Sequence, residues 1–360
     1  MTRAINIAQS GGNNFTMRNR IINGDMRIDQ RNAGASSTPP TGGTTASYTL
    51  DRWTVNTNIS SAVSIQQNAG SVTPPFGFSN YLGATSLAAT SVGASNYSLL
   101  EQRIEGFNFS DLAWGTASAQ PVTISFWVRS SLTGTFSGSL QTSATRFYGY
   151  TYTINTANTW EQKTVTIIGD TVGATASGNT TSVYIRWSLA AGSSVVGSAG
   201  SWGGSTLLGV TGQTNFLATN GATFYITGVQ LEAGTTATPF ENRPYGMELA
   251  LCQRYYYRLS GGGNTRHAIG GNGSLSQGFP TVFTKVTMRT QPSFSYSALS
   301  DFNIECITVG GSATPTSLSF NAGNLDTITI ICQSSGSTTN TGIQLNGTGT
   351  NAWTAYSAEL

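Results

Sequence analysis

Charge is what this sequence lacks most. Asp, Glu, Lys and Arg make up 9% of its 360 residues, against about a quarter in an ordinary soluble domain. The net charge of +2 offers no electrostatic footprint for nucleic acid or an acidic membrane surface. Lysine occurs only at Lys163 and Lys285, so almost all basic charge is Arg, the cation suited to interface ion pairs. Histidine occurs once, at His267 in a Gly-rich stretch, where a surface position is expected. That scarcity removes Ser-His-Asp and Cys-His relays and most catalytic zinc sites. Cys252, Cys306 and Cys332 are odd in number and widely spaced, which describes neither a disulfide framework nor a zinc site, and buried free thiols are expected. No apolar run approaches a membrane span, and MTRAINIAQSGG has no signal-peptide core. The expectation is a protein made in a cytoplasm and kept there or released by lysis. Helices alternating with strands are missing, which excludes a βαβ architecture. No glycine loop sits between a strand and a helix to cradle phosphate, and no exact internal repeat occurs.

Gly, Ser, Thr and Asn fill the gap left by charge, as suits short strands and many tight turns. With 38% hydrophobic and 10% aromatic residues, the chain can bury a core, and its length suggests two domains. Alternation with period 2 dominates. In VTISFWVRS, Val122, Ile124, Phe126 and Val128 share one face. In SVYIRWSL, Val183, Ile185, Trp187 and Leu189 point one way, and Tyr184, Arg186 and Ser188 the other. In TFYITGVQLEAG the inward set is Phe224 and Ile226, then Val229 and Leu231, one residue out of phase at Gly228; this marks a β-bulge. The expected fold is all-β: an antiparallel β-sandwich plus a second, smaller β-rich C-terminal domain. The layout read from composition is an arm at 1–18, the sandwich at 19–245, a short helical linker at 246–259 and the C-terminal domain at 260–360. Met247, Leu251 and Tyr255 supply the helical stripe, and SGGGN at 260–264 reads as a hinge.

The search for chemistry leaves binding rather than catalysis. Glu101 with Glu105, and Asp25 with Asp29, are the local carboxylate pairs. Residues four apart on a strand lie about 13 Å apart, too far for either glycosidase geometry, and Arg103 and Arg27 make ion pairs the better reading. Loops rich in Asp, Asn and carbonyls can hold structural Ca²⁺, but no EF-hand spacing occurs and no ligand set is assigned. Aromatic faces suit sugar rings. Trp114 in DLAWG, Trp202 in AGSWGG, and Tyr148 and Tyr150 in RFYGY are read as partly exposed and are the candidate glycan contacts. Trp53, Trp127, Trp160 and Trp187 sit in or beside strands and are expected to pack.

Four segments carry a resemblance to a family of phage virion proteins of tail-fibre or minor structural type. They are NRIINGDMRIDQRNAG (19–34) followed by YTLDRW (48–53); LEQRIEGFNFSDLAWGTASAQPVTISFWVRSS (100–131); NTWEQKTVTIIGDTVG (158–173); and GVQLEAGTTATPFENRPYGMELALCQRYYYR (228–258). The central region also resembles jelly-roll carbohydrate-binding modules through Asn23, Gly24, Trp160 and the run Val229 to Glu232. The resemblance implies a non-enzymatic virion component, a tail fibre or tail-associated appendage that attaches to a host-surface glycan or outer-membrane protein. It implies docking to other virion proteins through the N-terminal arm, a homo-oligomer with a trimer as first expectation, and no cofactor. A capsid decoration or head-fibre protein is the alternative, and a polysaccharide depolymerase a further one.

Overall fold

A computed structural model describes residues 17–39, 47–261, 263, 265–272, 277–306, 312–334, 342–349 and 351–360. Most of the proposed arm, residues 1–16, and part of the 35–47 loop, residues 40–46, lie outside the described residues. The chain forms two compact units divided between Pro244 and Tyr245.

The first unit contains β1 (Ser47–Leu50), β2 (Trp53–Thr57), β3 (Val63–Gln67), β4 (Leu82–Ser86), β5 (Tyr97–Glu105), β6 (Val122–Ser130) and β7 (Gly134–Thr142). It continues with β8 (Phe147–Ile154), β9 (Glu161–Ile167), β10 (Thr181–Ala191), β11 (Val196–Gly197), β12 (Trp202–Gly203), β13 (Gly209–Val210) and β14 (Thr223–Ala233). Among the described residues these make a seven-stranded sheet in the order β1-β2-β5-β10-β7-β8-β12 and a five-stranded sheet in the order β3-β4-β14-β6-β9. A short parallel pair, β11-β13, stands apart. The chain crosses repeatedly between the large sheets, from β5 to β6, back to β7 and β8, over to β9, back to β10 and finally to β14. That is the path of an antiparallel jelly-roll sandwich.

Alternation decides which side chains fill the space between the sheets. Val122, Ile124, Phe126 and Val128 of β6 and Val183, Ile185, Trp187 and Leu189 of β10 are all fully buried in one core. Trp187 meets Trp53 at 5.5 Å and Phe126 at 5.7 Å between ring centroids. Each such side chain contributes roughly 1.5–3 kcal/mol by leaving water. The bulge falls where the phase shift placed it: the β14–β6 register slips between Thr227 and Gln230, and Gly228 has φ +59°.

The segment before β1 closes the sandwich along β14. Arg20 N donates to Leu231 O (2.8 Å), Asn19 Nδ2 to Val229 O (3.0 Å), and Leu231 N to Asn19 Oδ1 (3.1 Å). Val229 N donates to Gly24 O at 2.9 Å, and a Cβ on Gly24 would stand 2.2 Å from Val229 O. Arg243 donates to the carbonyls of Ile21 and Asn19 and pairs with Glu241. The first and last of the four sequence segments are therefore two sides of one joint.

The second unit begins with α1 (Tyr245–Gln253), followed by β15 (Tyr256–Ser260), β16 (Thr265–Asn272), β17 (Gln277–Phe283), β18 (Ser293–Tyr296) and β19 (Phe302–Cys306). Then come β20 (Ser312–Ala313), β21 (Ser317–Gly323), β22 (Thr327–Gln333), β23 (Gly342–Gly347) and β24 (Trp353–Ser357). Among the described residues a three-stranded sheet, β15-β24-β18, and a seven-stranded sheet, β20-β19-β23-β16-β17-β22-β21, share a core built from Phe302, Ile304, Ile328, Ile330, Leu345 and Tyr356.

Three expectations change here. The helix groups with the second unit instead of linking two domains, and it buries Glu248, Cys252 and Gln253 while Met247 is 56% exposed. SGGGN connects β15 to β16 inside that unit, so it is not a boundary hinge. His267 is 2% exposed on β16, at a register slip between Arg266 and Ala268 that turns the ring inward against Phe302. Cys252 and Cys332 are buried, and neither forms a disulfide with the other; the Cys306 side chain lies outside the described residues.

Candidate functional site

The outer face of the first unit's seven-stranded sheet is largely polar, and its register lines up positions from five strands. Arg103 of β5 pairs with Tyr184 of β10, Tyr184 with Gln141 of β7, Gln141 with Phe147 of β8, and Phe147 with Gly203 of β12. At strand spacing this row runs about 19 Å across the sheet. Tyr184, Gln141 and Arg103 are half-buried, so each presents an edge to solvent. The Tyr184 ring is fixed by two guanidiniums, with Arg186 Cζ 4.8 Å and Arg103 Cζ 5.3 Å from its centroid.

Glu101 holds those guanidiniums in place. Its Oε1 accepts from Arg103 Nε at 2.9 Å and its Oε2 from Arg186 Nε at 2.6 Å, in a fully buried position. Burial pushes the Glu101 carboxyl up, but Arg186 and then Arg103 outweigh it and keep the group below its ordinary value. Arg186 Nη1, Ser139 Oγ and Asn56 Oδ1 on the same face have no hydrogen-bond partner among the described residues. Buried polar atoms of this kind are ordinarily satisfied.

The far end of the row opens into a cleft of about 220 Å³. Phe147, Val196 and Leu207 form its apolar part, and Ser198, Ser201, Ser205 and Thr206 supply hydroxyls. The connection between β10 and β14 builds it by folding over the sheet. Val210 N donates to Ser137 Oγ (3.0 Å), and Gln213 Nε2 to Ser188 Oγ (3.0 Å). No charged side chain lines the cleft. An apolar floor with a hydroxyl rim matches the amphipathic faces of a neutral sugar.

Three of the four candidate glycan contacts, Trp114, Tyr148 and Tyr150, are buried. Phe147 and Gly149 face outward on β8 under Leu207 and Val210, while Tyr148, Tyr150 and Tyr152 face the core, so both sides of RFYGY are closed. Tyr148 is 7% and Tyr150 2% exposed, and Tyr150 Oη donates to Arg186 O at 2.8 Å. Trp114 is 4% exposed because its loop folds back and Nε1 donates to Gln120 O at 2.7 Å. Trp202 is half-buried and keeps one edge outside, with Nε1 donating to Ile168 O at 2.8 Å. Trp114, Trp202 and Tyr148 do come together, at 5.1 Å and 5.3 Å between ring centroids, but as a packing cluster. Trp53 and Trp187 are buried as expected, whereas Trp127 and Trp160 stay half-exposed.

The local carboxylate pairs are engaged in structure. Asp25 pairs with Arg27 at 2.7 Å, and Asp29 caps the backbone of Asn32 and Gly34. No group of three or more His, Cys, Asp or Glu positioned for a metal occurs among the described residues. The Tyr184 platform was missed as a site, although alternation had already turned Tyr184 and Arg186 outward; a half-exposed aromatic beside an arginine on a polar strand face was the available clue.

No protein-family model matches this chain, and no curated protein matches it. Among solved structures, the enzymatically active domain of tailspike protein 4 of bacteriophage CBA120 is similar over 51% of this chain, at 12% identity and a TM-score of 0.29. The chain spans 19% of that protein's length. A family 11 carbohydrate-binding module from Clostridium thermocellum, in complex with a mixed-linked tetrasaccharide, is similar over 52% of this chain and 93% of its own, at 10% identity and a TM-score of 0.29. Likenesses this distant transfer no residue role and no activity.

Proposed function

We propose that this protein is a non-enzymatic structural component of a bacteriophage particle, a tail fibre or tail-associated appendage. Its sandwich unit binds a host-surface glycan along the outer face of the seven-stranded sheet. The observation that carries the glycan reading is the row from Arg103 through Tyr184 and Gln141 to the hydroxyl-lined cleft: a rigid, half-exposed ring flanked by donors and acceptors, ending in an uncharged polar pocket. The virion role rests on the four sequence segments and on the low charge, which suits a chain with extensive subunit contacts. Several weak sites on one oligomer would add through avidity.

Calorimetric titration with polysaccharide from the host surface tests the binding. Tyr184→Ala should weaken it about tenfold or more, in line with a stacking and hydrogen-bonding anchor worth about 1.4 kcal/mol or more. Equal affinity of the variant would remove the sheet face as the site. Gold-labelled antibody should mark the tail; label spread over the head would make it a decoration protein. Purified protein should leave a host lawn uncleared, and clearing would overturn the non-enzymatic reading.

A further inference from the structure

A second cleft, of about 290 Å³, lies where β14 ends, lined by Arg18, Arg20, Asp111, Glu232, Ala233, Thr236 and Thr238. It shares no residue with the sheet-face row. Arg18 and Arg20 reach it from one side because they are two apart on an extended segment, while Asn19 between them turns inward at 1% exposure. Their Cα atoms are therefore about 7 Å apart.

The charges of this cleft are unevenly satisfied. Glu232 is spent inside the protein: Oε1 accepts from Thr238 N (2.8 Å) and Gln230 Nε2 (2.9 Å), and Oε2 from Thr238 Oγ1 (2.6 Å). Arg20 donates Nη1 to Asn108 O (3.2 Å) and Nη2 to Asp111 Oδ2 (2.6 Å), but Asp111 is 58% exposed. An ion pair that open to water is weak and easily exchanged. Arg18 donates Nη2 to Pro239 O (2.9 Å) and makes no ion pair among the described residues. The cleft thus holds one guanidinium with no ion pair among the described residues beside a second whose partner is replaceable, while the Glu232 charge is held by the neutral donors of Thr238 and Gln230. Guanidiniums favour bidentate carboxylate. Around them stand the Thr236 hydroxyl and the outer oxygen of Asp111, which suit a ligand rich in hydroxyls.

We propose that this cleft binds an acidic sugar residue, a pyranose bearing a carboxylate, with Arg18 and Arg20 on the carboxylate and Asp111 and Thr236 on the hydroxyls. The proposal extends the glycan reading to a separate site with its own ligand class. Titration of the full chain with sodium D-glucuronate, followed by NMR or calorimetry, tests it, with D-glucose and inorganic phosphate as controls. Arg20→Gln and, separately, Arg18→Gln should each weaken glucuronate binding about tenfold, the loss of one charged hydrogen bond. Asp111→Asn keeps the acceptor and removes the competing charge, so it should tighten binding a few-fold. Tyr184→Ala should leave glucuronate binding unchanged, so failure of the sheet-face site and failure of this one are read separately. Glucose binding as well as glucuronate, phosphate binding with the same arginine dependence, or weaker binding by Asp111→Asn would each overturn the acidic-sugar site. Since Asp111 is largely exposed, its variant stays informative even if an arginine variant misfolds.

Discussion

His267, the single histidine of the chain, sits with Nε2 3.3 Å from Gly261 O and Nδ1 3.0 Å from Thr354 Oγ1. A carbonyl can only accept, so Nε2 carries the proton and Nδ1 accepts from the threonine hydroxyl. Burial, partly offset by the bond to Gly261, holds the imidazole below its ordinary value. The folded ring then binds a proton less readily than the unfolded one. Stability is unaffected by this group above pH about 6.5 and falls as pH drops through that value, until the folded ring also protonates. Denaturant unfolding at pH 7.5 and 5.5 should show the loss, and His267→Gln should flatten it; a wild-type chain as stable at 5.5 as at 7.5 would discard the assignment. A glycine makes the packing version of the same argument. A Cβ on Gly138 would stand 2.1 Å from Arg186 O and 2.4 Å from the Tyr150 ring. Gly138→Ala should cost about 2–3 kcal/mol as an overpacked core site, measurable as a lower denaturation midpoint.

At the scale of elements, the turn between β8 and β9 is tied by one carboxylate. Glu161 accepts from Asn155 N (2.9 Å), Thr156 N (2.8 Å) and Asn155 Nδ2 (2.9 Å), and pairs with Lys163 at 2.5 Å. Desolvation raises its pKa, but the bonds from Lys163, Thr156 and Asn155 together bring it down to about 2. The carboxylate's contribution is complete above its ordinary value of 4.5 and is lost as pH falls toward 2. Glu161→Gln should therefore be less stable than wild type at pH 7, with the gap closing below pH 4; a gap constant with pH would show the effect to be steric. Strands such as β6 and β10, and the bulge at Gly228, were legible because alternation is a local property and a phase slip has a local cause. The burial of Tyr148 and Tyr150 was not, because they face a core whose other walls come from strands distant in the sequence; Tyr150 Oη, for one, donates to the carbonyl of Arg186 on β10. Nor was the platform, since Arg103, Gln141 and Tyr184 meet only through the register of three strands. The helix misled for a related reason: Glu248 and Gln253 are buried in place of Met247, and a stripe of apolar positions does not reveal a face chosen by polar contacts.

At the scale of the molecule, each unit carries its own core, one around Trp53, Phe126 and Trp187 and the other around Phe302, Ile330 and Tyr356. Independent cores predict that residues 17–244 expressed alone retain glycan binding, and a fragment that is folded but inactive would move the site elsewhere. The proposed arm is tested on the particle: deletion of residues 1–18 should yield virions without the protein, and normal incorporation would place docking elsewhere. Self-association turns on sheet edges, which are templates for another chain unless guarded by charge, proline or a bulge. In the first unit β9 ends its sheet with Glu161 and Lys163 as guards. In the second, β21 ends its sheet with SLSFNAG, which has neither charge nor proline and leaves Ser319, Asn321, Ala322 and Gly323 exposed, with only a bulge near Phe320 to interrupt it. If subunits of an appendage join through this unit, β21 is one of the edge strands through which they could pair. Ser319 faces solvent, so Ser319→Lys should leave the fold intact and lower the mass seen by light scattering. A wild-type chain that stays monomeric at all concentrations would remove the homo-oligomer from the proposed function. An oligomer indifferent to the lysine would move the contact away from β21.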